Sequence, residues 1–214
     1  MAGDDPGAAF KMIGGKLCLD FINTVSARRP NPRAGGRDYA DRIEKERLVA
    51  FDDLVRWGRA TGTVSAAEAK ALARAARGAP AKAALVVARA RTVREALYRV
   101  FVALLHRWRP EAADVEVLNR EVLRARVRER LTPEGRGFGW TWDADSGALD
   151  RVLWPVMRSA ADLMLSKDLD RVRRCAGEEC RWMFFDATRN RNRRWCDMAD
   201  CGNIDKVRRF RRRQ

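Results

Sequence analysis

Four of the five cysteines in this 214-residue chain, Cys175, Cys180, Cys196 and Cys201, form the pattern Cys-x4-Cys-x15-Cys-x4-Cys. Zinc takes four thiolate or imidazole ligands in a tetrahedron, usually as two close pairs on tight turns that an intervening segment brings together. The N-terminus, Met1 to Phe10, lacks the basic and apolar regions of a signal peptide, which disfavours the alternative of disulfides. A unit of about 45 residues buries too little surface to fold alone, so a metal supplies what its core lacks. All four cysteines are therefore expected to hold one structural Zn2+. Four thiolates close the coordination sphere and leave no open position for catalysis.

Charge gathers in the same segment. The formal net charge is +15, from 44 basic and 29 acidic residues, and Arg171–Gln214 alone carries 14 basic and 6 acidic side chains. A chain this rich in arginine and alanine can owe part of its charge to genome composition, so placement counts for more than the total. Zinc with four thiolates is a net −2 group, and some neighbouring arginine neutralises it. The surplus points to a polyanion. Arg189, Arg191, Arg193 and Arg194 fall on a turn-rich stretch between the cysteine pairs. The end of the chain reads as a helix with Ile204, Val207 and Phe210 against the zinc core. Arg208, Arg211 and Arg212 then face outwards, flanked by Lys206, Arg209 and Arg213. Phosphate contacts are the natural use of such a surface, and double-stranded DNA is the expected partner. The alternative is RNA, with Trp182, Phe184, Phe185 or Trp195 stacking on exposed bases.

The preceding residues read as a mainly helical domain with a small β-hairpin (α+β), over 1–168, followed by a small four-cysteine zinc finger over 169–214. The finger is expected to be treble-clef- or ribbon-like, a β-hairpin plus a terminal helix. Helices are predicted over 12–27, with Leu17, Phe21 and Val25 on one face, and over 52–61, capped by Asp52 or Asp53. Ser65-Ala-Ala-Glu68 is a capping box opening a further helix that Gly78 and Pro80 end. The longest stripe, Val86 to Trp108, predicts a helix from Ala81, with a second at 112–126 packing on it through Val115, Leu118, Val122 and Leu123. Phe138–Trp142 alternates as a strand and is expected to pair with Val127–Leu131. Leu149–Leu165 returns to helix, with Pro155 starting or kinking it. Residues 28–38 read as a loop.

No apolar run approaches the length of a membrane span, so a cytoplasmic protein without membrane contact is expected. No nucleophile–base pair or phosphate loop appears, the sole histidine, His106, lies on the edge of the long stripe, and Cys18 has apolar flanks; an enzyme is not expected. Asp20, Asn23, Thr24 and Arg28 could line a ligand pocket for a small-molecule effector, or serve helix-surface and capping hydrogen bonds. A homodimer would suit a DNA-binding regulator, although no heptad is visible.

Cys-x4-Cys-x-Trp-x-Phe-x-Asp, followed by Arg-Asn-x-x-Arg-Arg-Trp-Cys-x-Met-x-x-Cys-Gly-Asn, closely resembles the CGNR zinc finger of bacterial proteins. Leu19-Asp-Phe-Ile-Asn-Thr24, Leu153-Trp-Pro-Val156 and Ser159-Ala-Ala-Asp-Leu163 are similar to the ABATE domain that precedes it in that family. The resemblance covers essentially the whole chain. It implies a transcription regulator whose C-terminal finger binds DNA and whose N-terminal domain senses a signal. The chain departs from the signature at Ile204, where Cys-Gly-Asn-Arg has its arginine; Asp205 follows.

Overall fold

The structure is a computed structural model that describes residues 10–29, 41–143 and 147–211. The elements run α1 (Leu17–Ile22), β1 (Arg28–Arg29), β2 (Arg42–Ile43), α2 (Phe51–Ala60), α3 (Ala66–Gly78), α4 (Pro80–Leu105) and α5 (Ala112–Arg126). Then follow β3 (Glu129–Glu134), β4 (Gly137–Trp142), α6 (Leu153–Leu165), β5 (Val172–Arg174), β6 (Met183–Phe185) and α7 (Asn203–Arg211). Helices dominate, and the strands form three separate antiparallel pairs, β1–β2, β3–β4 and β5–β6.

The central element is α4. Pro80 sits in its first turn, where a missing N–H costs nothing, and Val86, Ala90, Val93, Leu97, Val100 and Phe101 are buried along it. The stripe weakens at its end: helix stops at Leu105, and His106 stacks on the half-exposed Trp108 at 4.5 Å between ring centroids. Around α4 pack α1, α2, α3 and α5, with α6 against α1 and α5. Leu54 and Trp57 of α2 are fully buried, with Trp57 edge-on to Phe21 of α1. The cap of α2 is Ala50, and Asp53 reaches back to accept from the Val49 and Ala50 N–H groups, both at 2.7 Å. The box opening α3 forms as read: the Glu68 N–H donates to Ser65 Oγ and the Ser65 N–H to the Glu68 carboxylate. No described helix is long and apolar enough to cross a membrane.

Several expectations need correction. The N-terminal helix is six residues long rather than sixteen, because both ends are taken by tertiary partners. Gly14 packs so closely on the start of α1 that a Cβ there would lie 2.7 Å from the Asp20 nitrogen. At the other end Asn23 leaves the helix to bond β6, and Val25 bridges to Glu46 instead of sharing a helical face with Leu17. Arg28 and Arg29 are strand, not loop; residues 30–38 of that expected loop lie outside the described set. On α5, Leu118 is buried but Val115 and Leu123 are exposed, their places taken by Asp114, Glu121 and Ala125, whose acids pair with Arg99, Arg89 and Arg124. The hairpin β3–β4 is longer than expected, turning through Gly135 and Arg136 alone, with Leu131 opposite Trp140. α6 begins at Leu153 rather than Leu149, and Pro155 lies in its first turn, where a missing N–H costs no helical hydrogen bond.

Candidate metal centre and nucleic-acid interface

Cys175 and Cys180 lie on the turn between β5 and β6, and Cys196 and Cys201 on the turns that lead into α7. The four Sγ atoms are all within 4.8 Å of one another, with Cys180 to Cys196 at 3.5 Å and Cys196 to Cys201 at 3.7 Å. A tetrahedron with Zn–S bonds of about 2.3 Å has edges of about 3.8 Å, so the cluster has the size of a zinc site and is far too open for disulfides. The backbone supports it: the Gly177 and Cys196 N–H groups donate to Cys175 Sγ at 3.5 and 3.4 Å. Gly177 fits where a Cβ would crowd Cys180 at 3.3 Å and two of the sulfurs at 3.5 and 3.6 Å. These residues suit one structural zinc.

β6 pairs backwards with β5, Val172 opposite Phe185 and Arg174 opposite Met183, so the first cysteine pair sits in a zinc knuckle at the hairpin tip. Residues 187–195 return without a strand. Asp186, the acid that closes the Cys-x-Trp-x-Phe-x-Asp motif, organises them: fully buried, it accepts from the Thr188 N–H and hydroxyl at 3.0 and 2.6 Å and from the Arg193 N–H at 2.9 Å. The signal was present, since Asp-x-Thr at the end of a strand is an Asx-turn pattern.

The predicted cations divide by environment. Arg193 is structural: its guanidinium donates to the Trp195 carbonyl at 2.9 Å and to that of Cys196, and it lies 4.6 Å over the Phe184 ring. Arg191 pairs with Asp170. Arg189 and Arg194 are exposed with no carboxylate partner among the described residues, Arg194 lying 5.1 Å over the Trp195 ring. On α7, Lys206 and Arg211 are exposed. Arg208 turns inwards rather than outwards, 3.4 Å from Glu178 and 3.2 Å from Glu179. Ile204, Val207 and Phe210, expected against the zinc core, are 52%, 49% and 64% exposed. The reason is occupancy: Val25, Trp182 and Phe184, with Ile13, Ile43 and Trp195 beside them, already fill the apolar space around the cysteines. Arg212 and Arg213, and the Arg209 side chain, lie outside what the structure describes. Of the aromatics considered for base stacking, Trp182 and Phe184 are buried, and Phe185 and Trp195 are half-buried.

Asn23, Thr24 and Arg28 are spent on structure. Asn23 donates to the Met183 carbonyl at 2.7 Å and accepts from its N–H at 2.9 Å, mimicking a strand partner for β6. The Thr24 hydroxyl donates to the Phe21 carbonyl at 2.7 Å. Arg28, fully buried, grips Glu95 with two bonds of 2.6 and 2.9 Å and stacks 3.8 Å over Tyr98. Arg94, equally buried, makes the matching pair with Glu46 at 2.6 Å and also reaches Glu95 at 2.8 Å. Burial pushes the Glu95 carboxyl up, but the Arg28 and Arg94 guanidiniums outweigh it and hold the net pKa below the ordinary value. Asp20 is half-buried, and burial lifts it to about 6 although the Gly14 N–H donates to it at 2.7 Å. Cys18 is fully buried and pushed up to about 12, an inert thiol.

The two parts of the chain are joined by backbone as well as side chains. The Phe185 N–H donates to the Gly14 carbonyl at 2.7 Å, and the Arg28 N–H to the carbonyl of Cys180, a zinc ligand, at 3.1 Å. Arg181 of the knuckle pairs at 2.6 Å with Asp41, whose carboxylate also takes the Tyr98 hydroxyl. The ABATE family model, described as "Putative stress-induced transcription regulator", matches residues 15–167, and the CGNR zinc finger model matches residues 171–214. No curated protein matches the chain.

Proposed function

We propose that this chain, which belongs to the ABATE family and ends in a CGNR zinc finger, is a non-enzymatic, zinc-dependent regulator of transcription that grips double-stranded DNA with the finger and receives a signal through the helical domain. The observation that carries this reading is the division of the cations. The four-cysteine site, Asp186 and Arg193 fix the 187–195 loop, and that loop holds Arg189 and Arg194 in solvent without carboxylate partners among the described residues. Lys206 and Arg211 add exposed charge from the following helix. Cations held this way release condensed counterions when they meet phosphate. Zinc orders the scaffold and touches no DNA. The helical domain can act on the finger because three contacts, at Gly14, Asn23 and Arg28, tie it to β6 and to the knuckle.

The test is anisotropy of the zinc-loaded protein on labelled random duplexes across a salt series, with and without chelator, followed by selection of bound sequences. The expected result is a log–log salt slope of about −0.9 per phosphate contact, loss of binding on chelation, and an enriched motif. Salt-indifferent or chelator-indifferent binding overturns the reading. Preferential competition by single-stranded RNA would move the target to RNA, against the burial of Trp182 and Phe184.

A further inference from the structure

The hairpin β3–β4 is amphipathic, and its apolar face is left uncovered. Opposite residues of an antiparallel pair point to the same side. The register therefore puts Glu129, Leu131, Pro133, Phe138, Trp140 and Trp142 on one face, and Arg130, Thr132 and Thr141 on the other. The root of the apolar face is anchored on α6: Trp142 lies 6.0 Å from Trp154 between ring centroids, and Glu129 takes Arg158 at 3.0 Å. Beyond the root the face projects into solvent, with Leu131, Phe138 and Trp140 58%, 69% and 54% exposed. Between root and α6 runs a groove of about 390 Å3, walled by Trp140, Trp142, Pro155, Arg158, Ser159 and Asp162, with room for an aromatic ring.

The two edges of the hairpin differ. The Asp143 N–H donates to the Arg128 carbonyl at 2.7 Å, and alternation from that pair turns the backbone groups of Arg130, Thr132, Gly139 and Thr141 inwards, between the strands. Those of Leu131 and Pro133 point out from β3, and those of Phe138 and Trp140 point out from β4. Pro133 has no N–H, so the β3 edge is blunted. The β4 edge keeps a donor and an acceptor at each outward position, and no strand pairs with it among the described residues. A strand laid there antiparallel would extend the apolar face without a break.

β4 itself is such a strand. Paired about a two-fold axis at Trp140, two copies bring Phe138 of one beside Trp142 of the other, on the same face, at the mouth of the groove against α6. Knob and groove lie on one strand, so a single axis satisfies both twice, as an isologous contact requires. We infer that this chain forms a homodimer in which β4 pairs with β4 of a second copy, making a four-stranded sheet, and each Phe138 seats in the other copy's groove. Leu131, Phe138 and Trp140 offer about 350 Å2 of apolar surface per copy, which places the seam among weak interfaces of under about 1,200 Å2. Each copy carries a net charge of +15, and that self-repulsion opposes association, so salt tightens the dimer. That the dimer brings two fingers to one duplex rests on the reading above of the finger as DNA-binding; the dimer itself does not.

The experiment is sedimentation equilibrium of the full-length, zinc-loaded protein without DNA, from low-micromolar to submillimolar concentration. A reversible rise from the mass of one chain towards that of two is expected, stronger at high salt. Phe138→Lys, at the exposed tip, should weaken association at least tenfold. Amide exchange of the parent protein needs no variant: the Phe138 and Trp140 N–H groups should gain protection with concentration, and the Leu131 N–H, on the blunted edge, should not. A single-chain mass throughout, unchanged association of Phe138→Lys, or protection at Leu131 without Trp140 overturns the proposal. Duplex binding weakens with salt whereas the dimer tightens, and no DNA is present, so failure of either reading leaves the other standing.

Discussion

Asn23 commits both halves of its amide to one residue of the finger, and two buried backbone groups of Met183 depend on it. Asn23→Ala strands that N–H and carbonyl away from water, so a loss of about 2–3 kcal/mol in urea denaturation is expected. Asp20 acts through pH. Its carboxyl is raised to about 6 from an ordinary 3.8, so the native state holds the proton more tightly than the unfolded chain. The associated stability is fully present below about pH 4 and is lost as pH rises through 6. With the group only half-buried, solvent screening reduces the effect to the order of 1–2 kcal/mol. Asp20→Asn should therefore be more stable than the parent at pH 7.5, with a flatter change in urea midpoint between about pH 5 and 7.5. Its amide oxygen can still accept from Gly14.

At the scale of elements, the arginine loop and α7 separate scaffold from contact surface. Arg189→Ala with Arg194→Ala should lower the salt slope of duplex binding by about two and leave the melting temperature unchanged, since neither side chain pairs with a described carboxylate. Arg193→Ala should instead destabilise the finger by about 1–2 kcal/mol, because it strips the donor from the Trp195 and Cys196 carbonyls. Anisotropy and melting curves on the same variants distinguish the two roles. For α7 the period of the apolar residues was legible, but its direction was not. A 3.6-residue period marks a face; which face turns inwards depends on whether the space it would fill is taken. Here Trp182 and Phe184 hold that space, and an ion pair of Arg208 with the knuckle takes the inward position.

Across the whole molecule, a buried ionic chain joins β1, the segment after β2 and the middle of α4: Arg28 to Glu95, Glu95 to Arg94, Arg94 to Glu46. It lies directly behind the contact between Arg28 and the Cys180 carbonyl, so it sets the base on which the finger rests. Glu95→Gln leaves two fully buried guanidiniums short of countercharge, and a loss of about 3 kcal/mol is expected in urea denaturation. Because the Glu95 and Glu46 pKa values are depressed, their stabilisation is present above about pH 4.5 and is lost as pH falls further. That window lies below the one governed by Asp20, so the two effects can be read separately in one pH series.

The four cysteines that open the sequence argument determined the most by themselves. Ligand type and spacing restrict them to one chemistry, and the structure brings all four sulfurs together. The long helix, the capping box at Ser65 and the hairpin ending at Trp142 were also written locally, in periodicity and in short-range hydrogen bonds. Tertiary structure decided what the polar residues do. Asn23 and Arg28 read as pocket residues because their partners, Met183 and Glu95, lie 160 and 67 positions away. Arg193 and Arg194 are neighbours in sequence, yet one holds carbonyls and the other faces solvent. A polar group takes its role from the partner that accompanies it out of water, and sequence spacing does not encode that partner.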